Sequence, residues 1–304
     1  MEQSYFFGRD DAMRIGFIGA GKVGYALGGY FARHGVNVTG YMSQHIESAE
    51  IAAFDTGTRV FTNYSDLLEA SDAIFVTVPD SAIRSVYEDL KEYDLTGRFL
   101  IHTSGAMTVE DAFPQIEATG AIGYTVHPLF PFNGRDNLDN GLTGAFFCLQ
   151  GDSSCMEMWT ELLSGVGFRP QVIPGDKKVR YHLACAMASN LYCGLVYESQ
   201  RLLMDCGFTE ESAMEALAPL MEANLQGIIK KGPLMALTGP VERCDASTVS
   251  KHVDEVSGLH FPEDHQVKDL YQSVTRVLIE MAEKRHPDRD YQPLKEIMKD
   301  EGVR

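Results

Sequence analysis

Through the first half of the chain, short apolar runs alternate with stretches of helical periodicity, whereas the second half shows helical periodicity alone. Residues 14–18, 36–41, 59–62, 73–78, 98–103, 121–126, 145–150 and 171–173 have strand length and strand-like content. Between them, residues 22–34, 64–70, 81–93 and 153–166 predict helices, the third placing Ile83, Val86, Tyr87 and Leu90 on one face. Gly35 supplies a helix stop, Pro79 a strand stop, and Ser65 or a neighbour and Ser81 supply helix starts. Strands alternating with helices predict a parallel sheet with right-handed crossovers, hence an α/β class with a doubly wound N-terminal domain. After Pro174-Gly175 the strand signal stops. Residues 176–206, 209–230, 246–256 and 264–285 predict helices, with a capping sequence opening at Thr209. The expected domains are therefore 12–174 and an all-α 175–304.

Composition narrows the function classes. The chain has 304 residues, 44% of them hydrophobic, enough for two domain cores. It has no apolar run of membrane-spanning length. A net charge of −17 argues against nucleic acid or an anionic membrane as partner. An anionic cofactor must then meet local basic groups, for which Lys22, Lys177, Lys178, Arg180 and Arg243 are candidates. The first dozen residues lack a basic region followed by an apolar one and read as a disordered lead, not a signal peptide. The six cysteines form no C-x-x-C pair and no metal-ligand spacing, so no metal is expected and a reducing cytoplasm is the expected compartment.

The first candidate chemistry follows the first strand. Gly19-Ala20-Gly21-Lys22-Val23-Gly24 has the G-x-G-x-x-G order between a strand and a helix, and a second strand completes the βαβ unit. Gly19 suits the tight turn, Gly21 lets backbone approach a pyrophosphate, and Gly24 lets the helix pack closely, with helix N–H groups facing the phosphates. At the end of the second strand, a carboxylate would bind an NAD ribose and repel a 2′-phosphate. Here Ser43, Gln44 and His45 stand there, with no carboxylate before Glu47, which favours NADP over NAD.

Ligands of such sheets lie beyond the carboxyl ends of the strands. Those ends carry Val78-Pro79-Asp80-Ser81, His102-Thr103-Ser104-Gly105 and His127-Pro128. Val78, Pro79, Ser81 and Ser104 are the further cofactor contacts expected there, and Ser104 also offers a hydroxyl to substrate. His127 reads equally as a packed side chain. In the long helix, Lys178 and His182 are spaced i, i+4 and share a face, with Ser189 and Asn190 further on. Reducing a ketone creates an alkoxide, which a Lys or His could protonate while Asn190 polarises the carbonyl. Arg243 with Asp245 reads as an ion pair capping a following helix.

Together Gly19–Gly24, Val76-Thr-Val-Pro-Asp-Ser81, His102-Thr-Ser-Gly105, His127-Pro128, Lys178-x-x-Tyr-His182 with Ser189-Asn190, and Leu237-Thr-Gly-Pro-Val-Glu-Arg243-x-Asp245 resemble the Rossmann-like plus DUF2520 family across nearly the whole chain. That family lies within the 6-phosphogluconate dehydrogenase-like superfamily. The resemblance implies an NADP-binding domain and a helical domain that pairs two subunits as a homodimer, distantly like hydroxyisobutyrate dehydrogenases, pyrroline-5-carboxylate reductases and ketopantoate reductases. A branch similar to it, the alternative ketopantoate reductases, reduces 2-dehydropantoate with NADPH for pantothenate synthesis. The resemblance assigns Lys178 the place of the superfamily's proton-donating lysine, and puts His182 where relatives often carry Asn. It also brings Arg243 into the site, with Asn190, to position a substrate carboxylate. The expected function is an NADPH-dependent reductase of a small 2-oxo acid. An imine or pyrroline-5-carboxylate reductase and a non-catalytic NADP-responsive protein stand as alternatives.

Overall fold

The computed structural model describes residues 13–132, 134, 141–258 and 264–299. The expected disordered lead lies outside the described residues. The chain divides into two compact units, residues 1–186 and 187–304.

The first unit runs β1 (Arg14–Ile18), α1 (Lys22–Arg33), β2 (Asn37–Met42), α2 (Ile46–Thr56), β3 (Arg59–Val60), α3 (Tyr64–Ala70), β4 (Ala73–Val76), α4 (Asp80–Leu90), β5 (Phe99–His102), α5 (Val109–Ala112), β6 (Ile122–Pro128), β7 (Phe146–Gly151), α6 (Met156–Gly165), β8 (Arg169–Val172) and the start of α7 (Lys178–Ala188). The strands form one eight-stranded sheet in the order β3-β2-β1-β4-β5-β6-β7-β8. The chain leaves β1 toward β2 and β3, then returns to place β4 on the other side of β1. That reversal opens a crevice at the carboxyl ends of β1 and β4.

Alternation along the strands explains why both faces are covered. Phe17, Phe75, Ile101 and Val126 pack with Leu27, Phe31 and Trp159 on one face. Ile74, Val76 and Leu100 pack with Leu67, Leu68, Ile83 and Tyr87 on the other. At roughly 2 kcal/mol for each large apolar side chain buried, this double core makes the sheet a stiff frame for whatever its carboxyl edge presents.

Several expectations need correction. The sheet is not wholly parallel, because β7 runs antiparallel to β6. Among the described residues no helix separates these two strands, so no crossover element carries the chain back to a parallel start. The cap of α4 also differs from that expected, whereas the cap of α3 falls two residues before Ser65. Asn63 caps α3, accepting from Asp66 N at 2.9 Å. The fourth helix starts at Asp80 behind Pro79, so Ser81 lies inside its first turn. The helix expected over 176–206 breaks at Ser189, whose φ of −125° and ψ of −81° are not helical.

The second unit continues with α8 (Asn190–Asp205), α9 (Glu210–Lys231), α10 (Pro233–Ala236), α11 (Ala246–Gly258), α12 (Asp264–Arg285) and α13 (Gln292–Ile297). Thr209 and Ser212 form a reciprocal capping box at the start of α9. A core of Val241, Val249, Ile279, Ala282, Tyr291, Leu294 and Met298 joins α11, α12 and α13. By contrast α8 has no buried residue and α9 only Ala213. The sheet ends where the expected boundary near Pro174 lies, but the compact units divide twelve residues later, leaving Lys178 and His182 with the sheet. Among the described residues, no helix is long and apolar enough to cross a membrane.

Candidate active site

The glycine turn joins three strand ends. Gly19 adopts φ +101°, a conformation that disfavours any side chain, and its N–H donates to Met42 O at 2.7 Å. Thr77 Oγ1 donates to Gly19 O at 2.7 Å, tying the turn to the end of β4. A Cβ on Gly24 would collide with Gly19 O and Thr77 Oγ1, so the close approach of α1 requires glycine there. A Cβ on Gly21 would meet nothing within 4 Å. The first turn of α1 contains no acidic residue, and no side chain caps it. Its N–H groups are therefore open to an anion in front of them.

A cleft of about 640 Å³ extends from this turn. Gly19, Ala20, Gly21, Val78 and Pro79 line it together with Ser43, Gln44, His45 and Ser48 from the end of β2 and the start of α2. Tyr64, Val86 and Asp89 also line it. This cradle of backbone, open at Gly21, fits a dinucleotide. Ser48 comes from α2, a helix the sequence pattern did not indicate. Lys22, Val23, Gly24 and Ser81 do not line the cleft: they sit in the first turns of α1 and α4, with Lys22 and Ser81 exposed.

Beyond Pro79 lies the polar centre. Ser104, at the end of β5, donates its hydroxyl to Asp80 Oδ2 at 2.6 Å. Ser104 Oγ itself accepts from Met107 N at 3.1 Å. Ser104 is 3% exposed, and its hydroxyl is already engaged in this turn. His102 is wholly buried, accepts from Ser104 N at Nδ1, and burial depresses its pKa to about 3. It is a neutral core histidine, packed edge-on against Phe113.

Lys178 is 0% exposed. Its Nζ donates to Thr125 Oγ1 at 2.7 Å, and Thr125 in turn donates to Ser104 O at 3.3 Å. Burial lowers the ammonium from the ordinary 10.5 to about 8, with Cys148 and Asp80 opposing that shift. A lysine so placed remains mostly charged near neutral pH yet gives up its proton readily. One turn along α7, His182 packs on Gly105, where a Cβ would strike the His182 ring and lie 2.8 Å from His127 Nε2. The two imidazoles stand edge-to-face with centroids 6.0 Å apart. His127 Nδ1 is 2.7 Å from the Tyr181 hydroxyl, and burial lowers the His127 pKa to about 3. The Lys178 ammonium lies 5.8 Å from the centre of the Tyr181 ring.

Lys178, His182, His127 and Ser104 are thus brought together within the first unit. Asn190 and Arg243 belong to the second. Asn190 is exposed at the start of α8 and accepts from Ser189 Oγ at 3.1 Å. Arg243 is exposed, and Asp245 caps α11 by itself, accepting from Thr248 N at 3.0 Å and Thr248 Oγ1 at 2.7 Å. The residue types alone did not reveal Thr125 or the pairing of Tyr181 with His127. The available signal was a threonine inside an otherwise apolar buried strand. Among the described residues no His, Cys, Asp or Glu cluster could hold a metal ion.

Residues 7–128 match the profile of the Rossmann-like domain, and residues 145–277 match that of DUF2520, a domain of unknown function. No curated protein matches the chain. Among solved structures it is similar to protein TM1727 from Thermotoga maritima, with 26% identity, a TM-score of 0.71, and coverage of 89% of this chain and 99% of that one. A pyrroline-5-carboxylate reductase from Coxiella burnetii shares the fold at 14% identity and a TM-score of 0.55, covering 95% of this chain and 100% of the other. A reductive aminase from Aspergillus terreus, solved with NADPH and ethyl-5-oxohexanoate, shares it at 14% identity and a TM-score of 0.56, covering 95% and 90%. The DUF2520 match begins at β7 and so includes Lys178, Tyr181 and His182.

Proposed function

We propose that this chain, in which a Rossmann-like domain is followed by a DUF2520 domain, is an NADPH-dependent reductase of a small 2-oxo acid, with 2-dehydropantoate as the first candidate substrate. The observation that carries the reading is Lys178, buried at the carboxyl edge of the sheet with its ammonium lowered to about 8 by that burial. Bound NADPH would supply the hydride. Gly19 to Gly21 and the start of α1 would hold its pyrophosphate, and Ser43, Gln44, His45 and Ser48 its 2′-phosphate. Lys178 Nζ would then give a proton to the oxygen of the former carbonyl, with His182 beside it on the same helix face. Thr125 keeps Nζ aimed while that proton is lost.

Two relatives of the same fold bear the names of a reductive aminase and a pyrroline-5-carboxylate reductase, which supports reduction of C=N as the second reading. Charge favours the oxo acid. The groups around the proposed acid are Lys178 and neutral imidazole, phenol and thiol, while the nearby Asp80 carboxylate is hydrogen-bonded by Ser104. Such surroundings stabilise an oxyanion and disfavour a cationic iminium. We also assign α8 and α9 as the face that pairs two copies of the chain. Their exposed Leu191, Leu220, Leu225 and Ile229 leave two helices almost without buried residues in one copy.

The test follows oxidation of NADPH by purified protein over 2-dehydropantoate, other 2-oxo acids and pyrroline-5-carboxylate, each repeated with NADH. Turnover of an oxo acid, abolished by Lys178→Ala with NADPH affinity retained, is the expected result. Turnover of the cyclic imine alone would replace this reading with the second. Cofactor binding without turnover of any substrate would point to the non-catalytic protein.

A further inference from the structure

We infer that Tyr181 is a positioning residue that holds His127 in the tautomer protonated at Nε2, making His127 a neutral hydrogen-bond donor to a substrate oxygen while Lys178 alone provides the proton. The inference rests on the reductase reading for its consequence, but its structural core stands by itself.

The first observation is the contact of 2.7 Å between the Tyr181 hydroxyl and His127 Nδ1. That is the short spacing typical of an O–H donor, a phenol is a better acid than a neutral imidazole N–H, and the Cys148 and Cys185 thiols that also hydrogen-bond Tyr181 are weak acceptors and can act as its weak donors. The phenol proton therefore points at Nδ1, leaving the hydrogen of the neutral ring on Nε2. Burial keeps both groups in these forms, holding the Tyr181 phenol protonated and the His127 ring uncharged.

The second observation is where Nε2 lies. It has no hydrogen-bond partner among the described residues, and it faces Gly105 alongside the His182 ring. Glycine at 105 is what allows both rings to come so close to the strand end. The third is the position of Tyr181 itself, three residues from Lys178 on α7, edge-to-face with His127 and beneath the Lys178 ammonium. One side chain therefore fixes the orientation of His127 and packs against the proposed acid. A carbonyl or carboxylate oxygen placed between Nε2–H and Nζ–H would receive two donors with distinct tasks, one polarising and one transferring.

The experiment has two arms. Nitrogen-15 NMR of histidine-labelled protein reads the His127 tautomer without any substrate. The expected spectrum shows His127 protonated at Nε2 and unchanged across about pH 5 to 8, where an ordinary histidine titrates. In Tyr181→Phe the ring should become a tautomer mixture. An Nδ1-protonated ring in the wild type, or an unchanged tautomer in Tyr181→Phe, overturns the inference whatever the protein's activity. In the second arm, with whichever substrate is reduced, Tyr181→Phe should lower kcat about 10-fold, as partial loss of an oxyanion donor does. NADPH affinity should stay the same, which also certifies that the variant is folded. An unchanged kcat would remove His127 from its assigned role. Absence of turnover in the wild type would count against the reductase reading and leave the tautomer result standing.

Discussion

Replacing Lys178 with Met should make the protein more stable while destroying the activity proposed for it. The folded state depresses the lysine from 10.5 to about 8. At about 1.36 kcal/mol per unit, holding the ammonium in this site costs about 3 kcal/mol wherever both states are protonated. Met fills nearly the same volume without a charge, and the lost bond to Thr125 forfeits about 1 kcal/mol, so the net gain is about 2 kcal/mol. The pH dependence separates this from a generic packing effect. Between 8 and 10.5 the unfolded chain holds the proton that the folded chain has released, so wild-type stability rises with pH across that window. The advantage of Lys178→Met is then greatest below about pH 8 and disappears toward 10.5. The assay is urea unfolding without cofactor, followed by fluorescence of Trp159, the single tryptophan, which is buried in the first unit and reports on that unit alone. A melting temperature higher by about 4–8 °C at neutral pH corresponds to the same gain. A variant less stable than wild type at pH 7, or a difference constant up to pH 10.5, would refute the argument that Lys178 is held against its solvation.

Acid should act on the same unit through its buried histidines. His102 and His127 stay neutral in the fold down to about 3, whereas unfolded histidine takes up its proton near 6.5, so stability should fall as pH drops below 6.5. Each contributes up to about 1.4 kcal/mol per pH unit, and a flat urea midpoint between about pH 6.5 and 5 in the Trp159 signal would contradict it. Gly24→Ala forces a Cβ against Gly19 O, and should cost about 1–3 kcal/mol and most of the NADPH affinity. Isothermal titration reads the affinity, and wild-type binding would show that the turn is not the pyrophosphate site. Gln44→Asp places a carboxylate in the lining of the cleft near the proposed 2′-phosphate. It should shift the ratio of kcat/KM for NADPH over NADH at least about 10-fold toward NADH, and an unchanged ratio would move the phosphate elsewhere.

The strands were legible because a parallel strand buried on both faces is a near-continuous apolar run, as Ala73–Val76 is throughout and Phe99–His102 is up to its terminal histidine. What the pattern missed has equally physical causes. The helix Ile46–Thr56 buries small Ala49, Ala52 and Ala53 and exposes Phe54, reversing the contrast on which periodicity depends. The break at Ser189 carries no Gly or Pro to mark it. The antiparallel direction of β7 is a property of the return path through space, and an apolar run reads the same in either direction.

The candidate site divides along the same line between local and distant information. Lys178 and His182 share a helix face because of their spacing alone, and the glycine turn is a local motif. The tasks of the polar groups depend on which strand α7 approaches. Ser104 has the residue type to bind a ligand, but the fold spends its hydroxyl joining β5 to Asp80 at the head of α4. Thr125 likewise supports Lys178 and the Ser104 carbonyl at once. These bonds hold the carboxyl edge together before any ligand arrives. The groups this bracing holds at the site, the Lys178 ammonium on Thr125 and the imidazoles of His127 and His182, are therefore the ones whose removal should change chemistry more than architecture.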